Sequence, residues 1–279
     1  MTSIAFLGMM VLSASSLLDG EATLVSEGYK FSEGPVWIAG EGLVFSDVRG
    51  DTMYRGDGSE FRNPSNLANG LALDSEGRLI ACESGLKRIT RTESDGSIIV
   101  LADNFDGKGL NSTNDVVVRS DGGIYFTDPG ATTKTVLSTN GVYRIDPETG
   151  ALSELSTTAR YPNGIGFSPD EKTLYVADFM GGLIRQYDVA ADGSVSGERV
   201  FCDVKNPDGF ALDEQGNLWT ADRNGVAVFN RSGEQVEAFE LPAKPTNCCF
   251  GGEDGKTLFV TARSAVYSIR TKVKGLGRF

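Results

Sequence analysis

One pattern recurs six times in this chain and leaves few folds open to it. It starts on Asn, Asp or Glu, runs apolar, turns through Gly and polar residues, and runs apolar again. The copies are "EGPVWIAGEGLVFSD" from Glu33, "NGLALDSEGRLIACE" from Asn69, "NDVVVRSDGGIYFTD" from Asn114, "NGIGFSPDEKTLYVAD" from Asn163, "DGFALDEQGNLWTAD" from Asp208 and "NCCFGGEDGKTLFVTAR" from Asn247. Each reads as two short strands about a tight turn. Two further strand-like pieces follow several copies, as in "KRITRT" and "SIIVLAD" after the second or "GVAVFN" and "QVEAFELP" after the fifth. A unit is therefore four strands long. Dividing the 279 residues by six gives about 46 per unit, the length of a four-stranded propeller blade.

The pattern predicts an all-β chain forming a single domain over residues 1–279, a six-bladed β-propeller of four-stranded blades. The sixth unit runs out after "AVYSIRTKV", one strand short, and the strand "ATLVSEG" ahead of Glu33 has no unit of its own. Pairing residues near 21–28 beside strand 265–273 closes the ring in the last blade and covers an open edge. Two stacked β-sandwiches would not produce six near-equal repeats.

Composition narrows the chemistry. There is no histidine, so a Ser-His-Asp unit and a His-ligated zinc site are excluded. A formal net charge of −12 argues against nucleic acid as a partner. Cys82, Cys202, Cys248 and Cys249 have no CxxC spacing, and the adjacent pair is too strained to bridge, so all four read as reduced thiols. The apolar opening "MTSIAFLGMMVLSAS" has no Lys or Arg, the first basic residue being Lys30, and it is too short to span a bilayer. It reads as a packed N-terminal segment of a cytoplasmic protein with no membrane partner.

In a propeller the first strand of each blade lines the central channel. Glu33, Asn69, Asn114, Asn163, Asp208 and Asn247 would then converge at one mouth of that channel. Asn-Gly and Asp-Gly pairs are ordinary turn residues, but that accounts poorly for Glu33 and for a side-chain oxygen in all six units. Oxygen donors with two carboxylates suit a hard divalent cation, Ca²⁺ first, with Mg²⁺, Mn²⁺ or Zn²⁺ as alternatives. The second strands end in Asp47, Glu83, Asp128, Asp178, Asp222 and Arg263 on the same face. Acids there commonly tie down turns. Asp128 stands apart because it starts the longest connection, "DPGATTKTVLSTN", and loops of that length are often functional. Lys108, Arg49 and Arg223 lie in mouth-facing connections and are candidate contacts for substrate oxygens.

At these residues the chain resembles the gluconolactonase, regucalcin (senescence marker protein) and luciferin-regenerating enzyme family. The likeness is carried by "EGPVW" at 33–37, "NSTND" at 111–115, "YFTDP" at 125–129, "YPNGIGFSPDEKTLYVAD" at 161–178, "PDGFALDEQGNLWTA" at 207–221 and "PTNCCFGG" at 245–252. The resemblance implies a six-bladed propeller with one divalent metal in the channel, its ligands at Glu33, Asn163 and Asp208. Asn114 falls on a position that binds metal or substrate, and Asp208 on the family's general base. Asn69 and Asn247 lie outside the implied ligand set. Three departures touch the substrate surface. Ser84 stands where bacterial relatives often have His, Gly109 and Thr113 where they often have a basic residue and Pro, and "GAT" at 130–132 where they often have "PYG".

The implied function is metal-dependent hydrolysis of a sugar lactone or related small cyclic ester. The cation polarises the carbonyl while water attacks. Asp208 delivers that water, attacks directly, or serves only as a ligand to metal-held hydroxide. The rivals are phosphotriester hydrolysis on the same cage and a non-catalytic Ca²⁺-binding propeller. The expected partner is a small-molecule substrate, with the chain a monomer or homodimer.

Overall fold

A computed structural model describes residues 16–130 and 140–277. It is an all-β propeller. Four sheets have four antiparallel strands each, in chain order. The second repeat gives Ala68–Leu73, Leu79–Glu83, Arg88–Thr92 and Ile98–Ala102. The third gives Val116–Val118, Ile124–Asp128, Gly141–Ile145 and Leu152–Ser156, and the fourth Pro162–Phe167, Thr173–Asp178, Leu183–Val189 and Val195–Asp203. The fifth gives Phe210–Leu212, Leu218–Ala221, Gly225–Phe229 and Gln235–Glu240.

The first and sixth repeats differ from the expectation of six separate sheets. Among the described residues they share one six-stranded sheet, in the order Asn247–Gly251, Thr257–Arg270, Thr23–Ile38, Gly42–Asp47, Thr52–Arg55, Glu60–Arg62. The sequence suggests a break between "ATLVSEG" and "EGPVW", and another near Arg263. The backbone runs on as strand through the first, but at Arg263, with φ +54°, it reverses: the Thr271 N–H meets the Lys256 carbonyl at 2.9 Å and Arg270 Nη1 meets Thr257 Oγ1 at 2.8 Å. Thr23–Ile38 is one 16-residue strand with irregular register between Glu27 and Ser32, paired on one edge to Thr257–Arg270 and on the other to Gly42–Asp47. Thr23 faces Ser268 and Glu27 faces Ala265, so chain segments more than two hundred residues apart are zipped together. The two pairings succeed one another along the strand, residues 23–27 with the sixth repeat and 33–38 with the first, and meet at Ser32. A two-stranded hairpin, Asn104–Phe105 with Lys108–Gly109, precedes the third repeat. The apolar opening 1–15 and most of the loop after Asp128 lie outside the described residues.

The hairpin turns are built locally. Asp74 accepts N–H bonds from Glu76 and Arg78 at 2.9 Å each, and Asp213 does the same for Gln215 and Asn217. Gly77 follows with φ +78°, which glycine adopts without Cβ strain. The inner and middle strands are buried along most of their length, and the outer strands are half exposed. Aromatic pairs span neighbouring sheets, as with Trp219 edge-on to Phe250 at 5.6 Å and Tyr125 edge-on to Phe167 at 4.8 Å. All four cysteines are free, with Cys82, Cys202 and Cys248 buried and Cys249 half-buried. No helix among the described residues is long and apolar enough to cross a membrane.

Candidate active site at the channel mouth

The six repeats follow one another around the channel, and hydrogen bonds link the segments about their starting residues, beginning with Ser46 Oγ to the Asn69 carbonyl at 2.9 Å. The Gly70 N–H donates to the Asn114 carbonyl at 2.7 Å, Thr127 Oγ1 to the Asn163 carbonyl at 2.8 Å, and the Gly164 N–H to the Asp208 carbonyl at 3.3 Å. The Gly209 N–H reaches the Thr246 carbonyl, and Thr246 Oγ1 donates to the Ser32 carbonyl at 2.8 Å, beside Glu33. This proximity explains the glycine at the second position of most repeats. A Cβ on Gly34 would lie 2.0 Å from the Asn69 carbonyl oxygen, and one on Gly209 would lie 1.9 Å from Asn247 Cγ. The Asn-Gly signature is thus a packing requirement of the inner ring as well as a turn.

The third repeat breaks that rule with Asp115, a residue the sequence reading passed over. The signal was present in "NDVVV", with Asp where four sister repeats have Gly. Its carboxylate is buried and held by the Val116 N–H at 2.9 Å and by Asn247 Nδ2 at 3.3 Å. Asp115 lines the inner end of a cavity of about 470 Å³ that is walled by Val116, Ile165, Phe210 and Asn247 and runs from the ring toward the far-face turns at Asp74 and Ser120.

Three carboxylates therefore share one water-poor region. Glu33, Asp115 and Asp208 are all buried. Burial first, then the charges of Asp208 and Asp115, hold the Glu33 carboxyl well above the usual carboxylate range. Burial lifts Asp115 to about 6. Burial lifts Asp208 to about 7, opposed by the nearby charges of Lys244 and Arg263 and by the Asn163 amide. Asn163 Nδ2 donates to Asp208 Oδ1 at 2.6 Å. Tyr161 stands close by, its phenol raised by burial and by the charges of Asp208 and Glu33. Its ring meets Phe179 edge-on at 6.1 Å, and Lys244 Nζ sits over the Phe179 ring at 5.5 Å. Neither Tyr161 nor Lys244 was singled out in the sequence.

The chemistry of this donor set fits a hard cation. Uncompensated acids in a buried ring are costly, and a bound divalent ion removes that cost. Among the described residues no three His, Cys, Asp or Glu side chains form a metal-holding group, so amide oxygens would have to complete the set. Asn163 and half-buried Asn114 are placed for that role, Asn163 after its amide turns over.

The acids that end the second strands are occupied. Asp47 accepts N–H bonds from Lys30, Phe31 and Gly50, and Asp178 from Arg160, Tyr161 and Gly181. Asp128, expected at the substrate, is fully buried, and its two oxygens accept the Asn111 and Ser112 N–H groups at 2.7 Å each. It anchors the approach to Asn114, because a long connection needs a tether where it meets the ring. Lys108, Arg49 and Arg223 are exposed. Arg49 lies over the Phe31 ring at 4.9 Å. Two of the departures meet, since Ser84 Oγ donates to the Thr113 carbonyl.

Fold and site together define a β-propeller with an acid-and-amide ring at one mouth of its channel. The SMP-30/gluconolactonase/LRE-like family model matches residues 31–264, and the chain belongs to that family. It is 30% identical to a gluconolactonase of Zymomonas mobilis over 90% of this chain and 82% of that one. It is also 30% identical to regucalcin of Xenopus laevis, over 86% and 85% of the two chains. A solved gluconolactonase from Xanthomonas campestris, described as important in glucose secondary metabolic pathways, superimposes with a TM-score of 0.83. It is 33% identical, covering 90% of this chain and 89% of that one.

Proposed function

We propose that this chain is a metal-dependent lactonase, hydrolysing a sugar lactone or a similar small cyclic ester at the channel mouth. The observation that carries the reading is the buried carboxylate trio of Glu33, Asp115 and Asp208 beside Asn163 and Asn114, in a chain similar to gluconolactonases. Glu33, Asn163 and Asp208, with Asn114 close by, would hold one divalent cation, Ca²⁺ foremost. Once bound, that ion supplies Lewis acidity toward the ester carbonyl and the charge that forms on it.

This chain's residues do the rest. Asp208 would take the proton of the attacking water; its carboxyl lies at about 7 in the cation-free fold, and a held cation would lower it and keep it ionised for that role. The Tyr161 phenol, near Asp208 and Glu33, and the Asn114 amide would orient the ring oxygens of the substrate. Tyr161 and Phe179 wall the mouth with apolar surface, which limits bulk water around the reacting ester. Asp115 sets the field along the axis without being a first choice as ligand.

The six-fold repeat supports a six-blade count, with two blades fused edge to edge. The inner ring has six starting residues, and Asn247–Gly251 stands sixth in it, although its sheet is continuous with that of Glu33. A panel of aldonolactones, simple esters and aryl phosphotriesters, assayed in chelator and then with Ca²⁺, Mg²⁺ or Mn²⁺ restored, tests the function. Metal-restored turnover of a lactone is the expected result. Turnover of phosphotriesters alone would overturn it.

A further inference from the structure

Among the described residues every arginine donates a side-chain hydrogen bond to a carboxylate or a carbonyl except Arg49, Arg223 and Arg263. These three stand at the mouth face, in the connections that leave the second strands of the first, fifth and sixth repeats. Those repeats are neighbours in the ring. They flank Glu33 and Asp208.

Arg263 is the clearest case. Five repeats end their second strand in an acid occupied by hydrogen bonds from nearby segments, and Asp47, Asp178 and Asp222 accept backbone N–H groups of the loop that follows them. The sixth repeat ends in Arg263 instead. Its side chain is exposed, and its backbone is left-handed at φ +54°, a conformation that costs a non-glycine residue energy. Its guanidinium donates no side-chain hydrogen bond among the described residues, and its other effect on the fold is the long-range charge it presents to Asp208. Lys244 joins it. Asn247 pairs with Thr261 and the Thr246 N–H bonds to the Thr261 carbonyl, so the same hairpin brings residues 244–245 opposite residue 263 at the mouth. Lys244 is held over Phe179 rather than by an acid. All this occurs in a chain of net charge −12, where an anion is otherwise repelled.

We propose that Lys244 and Arg263, with Arg49 and Arg223 flanking them, recognise an anionic substituent of the substrate, so that lactones bearing a carboxylate or phosphate are preferred over neutral ones of the same ring. The inference rests on the lactonase reading and narrows it to an acidic lactone. The anionic group lies over the arc, and the ester is left over Glu33 and Asp208.

The test compares kcat/KM for three lactones of one ring size: a neutral aldonolactone, a uronolactone and a phosphorylated aldonolactone. Wild type should favour one or both charged lactones by about tenfold, and the larger preference identifies the substituent. Lys244→Met and Arg263→Asn should each reduce the charged-to-neutral ratio about threefold, through KM rather than kcat, and the double variant about tenfold. The preference should shrink at high salt. Lys172→Met, the same charge change on the far-face turn, should leave the ratio intact, and unchanged melting curves show that the variants fold. A wild type that prefers the neutral lactone, or a ratio unmoved in the double variant, overturns the arc even if lactonase activity stands. If no lactone is turned over, calorimetry with an open-chain dicarboxylate against a monocarboxylate decides separately. Weaker dicarboxylate binding in the variants supports the arc while the lactonase reading fails, and equal binding removes both.

Discussion

Nδ2 of Asn163 lies 2.6 Å from Oδ1 of Asp208, joining the starts of the fourth and fifth repeats across the mouth. The amide nitrogen, not its oxygen, faces the carboxylate. For the oxygen to serve a cation, the amide must rotate by half a turn, and the bond to Asp208 is exchanged for a shared ion. Cation binding and the protonation of this ring are therefore linked.

The sign of that linkage is set by burial. Asp115 and Asp208 sit at about 6 and about 7 in the fold, and Glu33 also sits high. In the unfolded chain such groups titrate near 4. The cation-free fold should keep this stability contribution in full below about pH 4 and lose it as pH rises through about 6 and 7. Melting temperature in chelator should fall between pH 5 and pH 8. Added Ca²⁺ should raise it more at pH 8 than at pH 5, as followed by scanning fluorimetry. Equal shifts at both values would separate the ion from these acids.

Asp208 and Glu33 carry the same charge but differ in assigned work. Asp208→Asn and Glu33→Gln should both weaken cation binding. Excess metal should restore most of kcat in Glu33→Gln and little in Asp208→Asn, where a loss of about 10²–10⁴ is expected for a missing general base. Equal rescue in steady-state kinetics would make Asp208 a ligand only.

Asp115 raises both neighbours through its charge. Asp115→Asn removes that charge while keeping a polar group toward Asn247. The acid limb of the kcat/KM profile should move to lower pH by up to about one unit, since Asp208 then ionises more readily. An unmoved limb would mean that Asp115 stays protonated throughout the working range.

Gly209→Ala tests the inner ring. The added methyl has no room beside Asn247 and should cost about 1–3 kcal/mol by chemical denaturation, with loss of activity as Asn247 and Asp208 shift. Gly109→Ala meets nothing closer than 3.9 Å, at the Asp103 carbonyl oxygen, and should stay within about 0.5 kcal/mol of wild type.

The repeats were legible because each hairpin is a local event. Asp74 and Gly77 make their turn from residues a few positions apart, and alternation marks the strands on either side. The starting ring was legible for the same reason, as one residue type at one place in each copy. The seam was not. Nothing between Glu27 and Ser32 says whether extended backbone bends or continues, since that depends on Ala265 and Arg263, far along the chain. The partners of Asp128 were not legible, because loop length says nothing of what a carboxylate finds, and only the fold brings it to the Asn111 and Ser112 N–H groups. Lys244 was hidden because its role comes from Phe179 and Asp208, which only the fold brings near.

The long strand Thr23–Ile38 also sets an order of events. It is made ahead of every strand of the second to fifth repeats, and its partner from Thr257 to Arg270 only after them. During synthesis its outer edge must stay unpaired while four complete sheets can form behind it. The nascent chain thus carries an open, pairing-competent edge until residues 257–270 emerge. Crowding of ribosomes on one message would then place such edges side by side, so yield should depend on translation density as well as on the stability of the finished ring.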